Sequence, residues 1–200
     1  MTTSEFYKLL KLGFPFQPTI KQDAGLQQLA TFIMSPSNLD VFLLKGYAGT
    51  GKTTIIGTLV KNIWKAKKSA VLLAPTGRAA KVITGYASTQ AFTIHKKIYM
   101  PRTDKSGKIS FVLSPNKHKN TLFIVDEASM VSDHSNQGGL FGSGALLDDL
   151  IQFVYSGHNC KLLLMGDTAQ LPPVKLNISP ALDAHKLELN YNKTCSIRRF

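Results

Sequence analysis

The chain has 200 residues, 44% hydrophobic and 18% charged. That is enough for one domain with a buried core, and too apolar for intrinsic disorder. No apolar run approaches the roughly 18 residues of a membrane helix, no secretory signal opens the chain, and Cys160 and Cys195 are too few for a disulfide framework or a zinc site, so the expected setting is reducing and cytoplasmic. The formal charge of +12 is uneven: residues 41–120 hold 15 basic groups and one acid, Asp104, whereas residues 1–40 balance and residues 121–200 are slightly acidic. A basic middle of that size suits a polyanion, above all nucleic acid.

In chain order, Leu26, Leu29 and Ile33 have helical spacing. Val41–Leu44 is a nearly continuous apolar run, the pattern of a parallel strand covered on both faces. A Gly-rich turn follows, then a second helical pattern on Ile55, Ile56, Leu59 and Ile63. Val71–Ala74 reads as a second buried strand. Residues 101–120 read as an excursion, a β-hairpin insertion around Ile109–Leu113 bounded by Pro101, Gly107 and Pro115. Leu122–Val125 is a third strand. Residues 132–144, rich in Ser, Asn and Gly, read as a mobile loop. Leu146, Leu147, Leu150, Ile151 and Val154 form a third helical pattern before a fourth strand, Leu162–Met165. Buried strands alternating with helices predict a three-layer α/β domain with a mainly parallel sheet and a small hairpin insertion.

The turn after the first strand reads Gly46-Tyr47-Ala48-Gly49-Thr50-Gly51-Lys52-Thr53, followed by Thr54, and fits the phosphate-loop pattern G-x-x-x-x-G-K-[ST]. Glycines let backbone N–H groups turn inward around phosphate oxygens, and the helix that follows favours the same anion. Lys52 is expected to reach the β- and γ-phosphates, and Thr53 to hold Mg²⁺. Asp126 and Glu127 end the third strand, where Asp126 is a candidate for the Mg²⁺ shell through water and Glu127 for polarising an attacking water. Gln170, past the fourth strand, is placed to contact the γ-phosphate or that water. Asp167 and Gln170 read equally well as turn residues.

Taken together, the segments resemble a superfamily 1 DNA helicase of the RecD/Dda-like branch over roughly residues 15–183. Gly46–Thr54 is similar to helicase motif I, Ala74–Ala80 to motif Ia, Thr93-Ile94-His95 to the next DNA-contacting motif, Asp126–Met130 to motif II and Gly166–Val174 to motif III. The resemblance implies a RecA-like P-loop NTPase fold, ATP and Mg²⁺ as ligands, and translocation on single-stranded DNA from 5′ to 3′. It implies adenine recognition by Gln22 and DNA contacts by Thr76, Arg78, Thr93 and His95; His95 also reads as a structural histidine. Phe92 and Tyr99 are candidates for stacking or packing. The hairpin occupies the place of a small subdomain that helps split the duplex, and reads equally well as a solvated loop. The segment 194–200 matches motif IV poorly, so neither Arg198 nor Arg199 is assigned as an arginine finger. The resemblance also implies a second RecA-like domain for which this chain has no room. The isolated chain is thus expected to bind ATP, hydrolyse it weakly and not unwind DNA. The alternatives are a P-loop ATPase that remodels another substrate and a degenerate DNA-binding remnant.

Overall fold

The computed structural model of the chain describes residues 1–37, 40–133, 140–167, 179–191 and 196–199. Two capping boxes organise the N-terminal helices. Thr2 opens α1 (Thr3–Leu12) by exchanging hydrogen bonds with Glu5, and Thr19 opens α2 (Ile20–Met34) by exchanging them with Gln22. The chain continues through β1 (Asp40–Lys45), α3 (Lys52–Asn62), a tight turn at Ile63–Ala66, β2 (Ser69–Ala74), α4 (Gly77–Ala87), β3 (Ala91–Thr93) and α5 (Ile94–Ile98). A hairpin, β4 (Tyr99–Thr103) and β5 (Ile109–Leu113), precedes β6 (Thr121–Val125), α6 (Leu146–Ser156), β7 (Lys161–Gly166), α7 (Ala184–Tyr191) and β8 (Ser196–Arg199).

The main sheet runs β3-β2-β6-β7-β1-β8, with every pairing parallel. The four strands predicted from apolar runs are its centre. Alternate residues of each strand feed two different cores. Val41, Leu43, Phe123, Val125, Leu162 and Leu164 pack against α5, α6 and α7. Phe42, Leu44, Leu122, Ile124, Leu163 and Met165 pack against α1 to α4. Helices therefore cover both faces, and the domain has the three layers expected of a RecA-like P-loop fold.

The hairpin begins and ends earlier than predicted, at 99–113, and residues 114–120 lead back to β6. The cause lies in its tip. Asp104 accepts hydrogen bonds from the Ser106 N–H and hydroxyl and the Lys108 N–H, at 2.6–3.0 Å, which closes the turn between the strands. The one acid of the basic middle is thus spent on folding.

Residues 140–144, read as part of a mobile loop, are ordered against the hairpin. Phe111 donates its N–H to Leu140 O (2.9 Å) and accepts from Gly142 N (2.7 Å), and its ring stacks on Phe141 at 4.5 Å. The Tyr99 hydroxyl donates to buried Asp149 at 2.6 Å, and the Ser143 N–H donates to the same carboxylate oxygen at 3.0 Å. Gly142 has φ +46°, and a Cβ there would lie 2.0 Å from that oxygen. Over residues 140–144 the chain is irregular, as composition suggested, but tertiary contacts pin it.

β8 lies beside β1 and carries the poorly matching segment into the sheet. Arg198 donates from Nε and Nη2 to the buried Asp40 carboxylate, at 2.8 and 2.7 Å. Asp40 also accepts from the Ser37 hydroxyl at 2.8 Å. Arg198→Ala removes the charged partner of a buried carboxylate, and is expected to lower unfolding free energy by about 1.5–3 kcal/mol in urea titration.

Candidate functional site

Parallel strands bring all their carboxyl ends to one edge, where a crevice opens at the loops. A cleft of about 620 Å³ lies there, lined by Ala48 to Thr54 of the phosphate loop, by Asp126 and Glu127, and by Gly166 and Asp167. Gly49 (φ +77°) and Gly51 (φ +89°) hold backbone that side chains rarely adopt, and Gly51 is the residue from which α3 starts. A Cβ on Gly51 would stand 2.5 Å from Gln22 Nε2. Lys52 Nζ donates back to the carbonyls of Gly46 (2.5 Å) and Tyr47 (2.8 Å), curled over its own loop.

The two acids reach the cleft together because the chain turns sharply between them. Glu127 sits at φ +50°, a left-handed conformation uncommon outside glycine and asparagine, and a short turn at Ala128–Met130 follows. That turn overrides the opposite-face alternation a continued strand would impose. Asp126 accepts the Glu127 N–H at 2.8 Å, and its own N–H donates to Leu73 O at 2.9 Å. Burial raises the Asp126 pKa above the usual carboxylate range; the Glu127 N–H and Lys52 oppose the shift, and the Glu127 charge adds to it.

Gln22 is placed beside the loop rather than along the cleft wall. Its amide oxygen accepts the Thr19 N–H (3.0 Å), and its amide nitrogen donates to Thr50 O (3.1 Å). Gly13, Pro15, Thr58, Lys61, Val82 and Tyr86 also line the cleft. None carried a sequence signal, because α1, α3 and α4 meet there only through tertiary packing. Gln170 and most of the Gly166–Val174 segment lie outside the described residues, as does Cys195; Cys160 is buried with a free thiol. Among the described residues no group of three or more His, Cys, Asp and Glu side chains is arranged to hold a metal ion.

Thr76, Arg78, Thr93 and His95 gather at the same sheet edge, past β2 and β3, whose register pairs Ala74 with Thr93. Thr76 caps α4 by accepting the Ala79 N–H, and Thr93 caps α5 by accepting the Lys96 N–H, each at 3.2 Å. Arg78 is exposed. His95 is half-buried, 5.1 Å from the Phe141 ring and 5.7 Å from Tyr99, and burial lowers its pKa. Phe92 is half-buried under the Lys97 ammonium at 5.5 Å, whereas Tyr99 is buried. Among the described residues no helix is long and apolar enough to cross a membrane.

A raised native carboxyl pKa means the folded state holds the proton more tightly than the unfolded chain. The ionised Asp126 therefore destabilises the fold above its folded pKa, and the penalty disappears below the unfolded pKa. Asp126→Asn is expected to raise the melting temperature at pH 7, with the gain vanishing once the pH falls below the ordinary aspartate range. Thermal melts of both proteins from pH 3 to pH 8 check this.

A family model described as "AAA domain" matches residues 22–179. Over 146 residues the chain is 35% identical to an uncharacterized protein of Methanocaldococcus jannaschii, covering 67% of this chain and 11% of that protein. Over 133 residues it is 33% identical to the ATP-dependent RecD2 DNA helicase of Deinococcus radiodurans, covering 66% and 16%. Over 147 residues it is 31% identical to the ATP-dependent DNA helicase Pif1 of Campylobacter jejuni, covering 68% and 29%. The chain thus spans less than a third of the length of these relatives. With the phosphate loop, the paired acids and the parallel sheet in place, this chain belongs to the AAA-domain family, as a helicase-related P-loop domain similar to those of RecD2 and Pif1.

Proposed function

We propose that the chain is the first motor domain of an ATP-dependent DNA helicase, coupling ATP hydrolysis to movement along single-stranded DNA, from 5′ to 3′ as the resemblance implies. The observation that carries this reading is the convergence at one sheet edge. The phosphate loop and two acids line a cleft, and Thr76, Arg78, Thr93 and His95 follow neighbouring strands. A shift at the phosphates thus has a short path, through β6 and β2, to the proposed DNA contacts.

In this reading Gly46 to Thr54 cradle the phosphates with backbone N–H groups. Lys52 leaves the carbonyls of Gly46 and Tyr47 for the β- and γ-phosphate oxygens, a move within its flexible stem. Thr53 and Asp126 line the same cleft with a hydroxyl and a carboxylate, oxygen donors that fit Mg²⁺, with Asp126 acting through water. Bound Mg²⁺ would neutralise charge on the phosphates. Glu127 orients and polarises the attacking water, and Gln170 senses the γ-phosphate. Gln22 braces the phosphate loop through Thr50, and the resemblance gives it the recognition of adenine. A second RecA-like domain, which the resemblance implies, completes the cleft, so the 200-residue chain alone binds ATP, hydrolyses it slowly and does not unwind duplex.

The test is steady-state ATP hydrolysis by the chain with and without a single-stranded oligonucleotide. Lys52→Ala should abolish turnover, by at least about 10²-fold, since it removes a preorganised charge at the reacting phosphate. Arg78→Ala and His95→Ala should retain basal turnover and lose stimulation by DNA. Hydrolysis indifferent to DNA would remove the nucleic-acid half of the reading, and processive unwinding by this chain alone would remove the need for a second domain.

A further inference from the structure

The fold divides the basic middle of the sequence between two opposite ends of the sheet. Arg78 and Lys96 lie past the carboxyl ends of β2 and β3, in the region already assigned to DNA. A second group lies at the amino edge, away from the cleft. Segments 62–68 and 115–120 together contain five lysines and no acid. Lys67 ends the tight turn with a left-handed backbone (φ +56°), its N–H donating to Trp64 O at 2.9 Å. Two residues later Ser69 begins β2, pairs with Thr121 and donates its N–H to Asn120 O at 3.0 Å. Lys67 and Lys68 therefore meet Lys117 and Lys119 at one edge, arriving on adjacent strands.

Lys65, Lys67, Lys117 and Lys119 are exposed, and none forms an ion pair among the described residues. Asp40, the acid that begins β1 at this edge, is buried and bound by Arg198. On the same turn as Lys65 and Lys67 stands Trp64, 67% exposed, with its indole N–H donating to Lys61 O at 3.0 Å and the Lys65 ammonium 5.8 Å from its ring centre. The ring is thus held by its edge. A fixed aromatic ring among unpaired cations matches a single strand, which offers phosphates and unstacked bases together. A lipid surface fits less well. Trp64 has no exposed apolar partner on its own turn, since Ile63 is buried and Ala66 half-buried, so there is no apolar face to insert.

We propose that this amino-edge face is a second surface for single-stranded nucleic acid, with Lys65, Lys67, Lys117 and Lys119 holding phosphates and Trp64 stacking on a base. It stands independently of the carboxyl-edge reading. Trp64 is the only tryptophan of the chain, so its emission reports this face alone. Titration of the 200-residue chain with an oligothymidylate at low salt should quench that emission. Affinity should fall with salt at a log–log slope of about −3, the value for roughly four neutralised phosphates on a single strand. Lys65→Glu with Lys67→Glu should weaken binding by about tenfold or more. Arg78→Ala with His95→Ala should leave the quench intact while removing DNA-stimulated hydrolysis, which separates failure of one surface from failure of the other. Emission unmoved by the oligonucleotide, a quench that survives the charge reversal, or equal quenching by vesicles of phosphatidylglycerol and phosphatidylcholine would each overturn the proposal. Should the charge-reversed variant not fold, judged by circular dichroism, the salt slope and the vesicle comparison on the unaltered chain still decide.

Discussion

The central parallel strands β1, β6 and β7, buried on both faces, leave no room for chemistry in the middle of the sheet. Val41 and Leu43 enter one core, Phe42 and Leu44 the other, and the same alternation repeats in β6 and β7. Polar groups are consequently confined to the strand ends, and parallel pairing gives those ends a common direction. The candidate cleft depends on that constraint. The phosphate loop after β1, the acids after β6, the Thr76 cap after β2 and the Thr93 cap at the end of β3 share one edge because their strands cannot point otherwise.

The edge is then refined by local contacts that are individually small. α2 ends its first turn with Gln22, whose amide both closes the capping box and holds the Thr50 carbonyl. The same side chain leaves no space for a Cβ at Gly51, so the glycine is required by its neighbour as well as by its positive φ. On the other side, Glu127 accepts a strained backbone angle in order to turn into the cleft, the kind of local cost that persists where surrounding packing over-determines it. Ala128 beneath it is fully buried, as is Ser129.

At the hairpin, four aromatic rings and one buried carboxylate make a joint. His95 follows the Thr93 cap, Tyr99 begins β4, Phe111 lies in β5, and Phe141 arrives from the segment before α6. The proposed DNA contact at His95 and the hairpin are therefore packed on the same ring cluster, so a displacement of one bears on the other. At the amino edge the polar groups take structural parts as well. Lys161 is buried, donates to Phe32 O and Ser35 O at 2.7 and 2.9 Å and thereby caps α2, and burial pushes its ammonium down to about 8.

Residue order alone was sufficient for the four central strands, the three-layer class, the phosphate loop and the acid pair, because each is a short-range pattern: an apolar run, fixed glycine spacing, carboxylates directly after a strand. The length of the hairpin depended on Asp104 capturing Ser106 and Lys108, and the order in residues 140–144 on Phe141 meeting Phe111 across thirty positions of chain. Composition could describe the first only as an excursion and the second only as a mobile loop. β8 carried no usable pattern until Arg198 found Asp40. The basic charge was legible in total, whereas its division between two ends of the sheet was decided by strand register, which sends Lys67 and Lys119 to one edge and Arg78 to the other. Local sequence determines which chemical groups a segment offers; only packing between distant segments determines which of them face the same way.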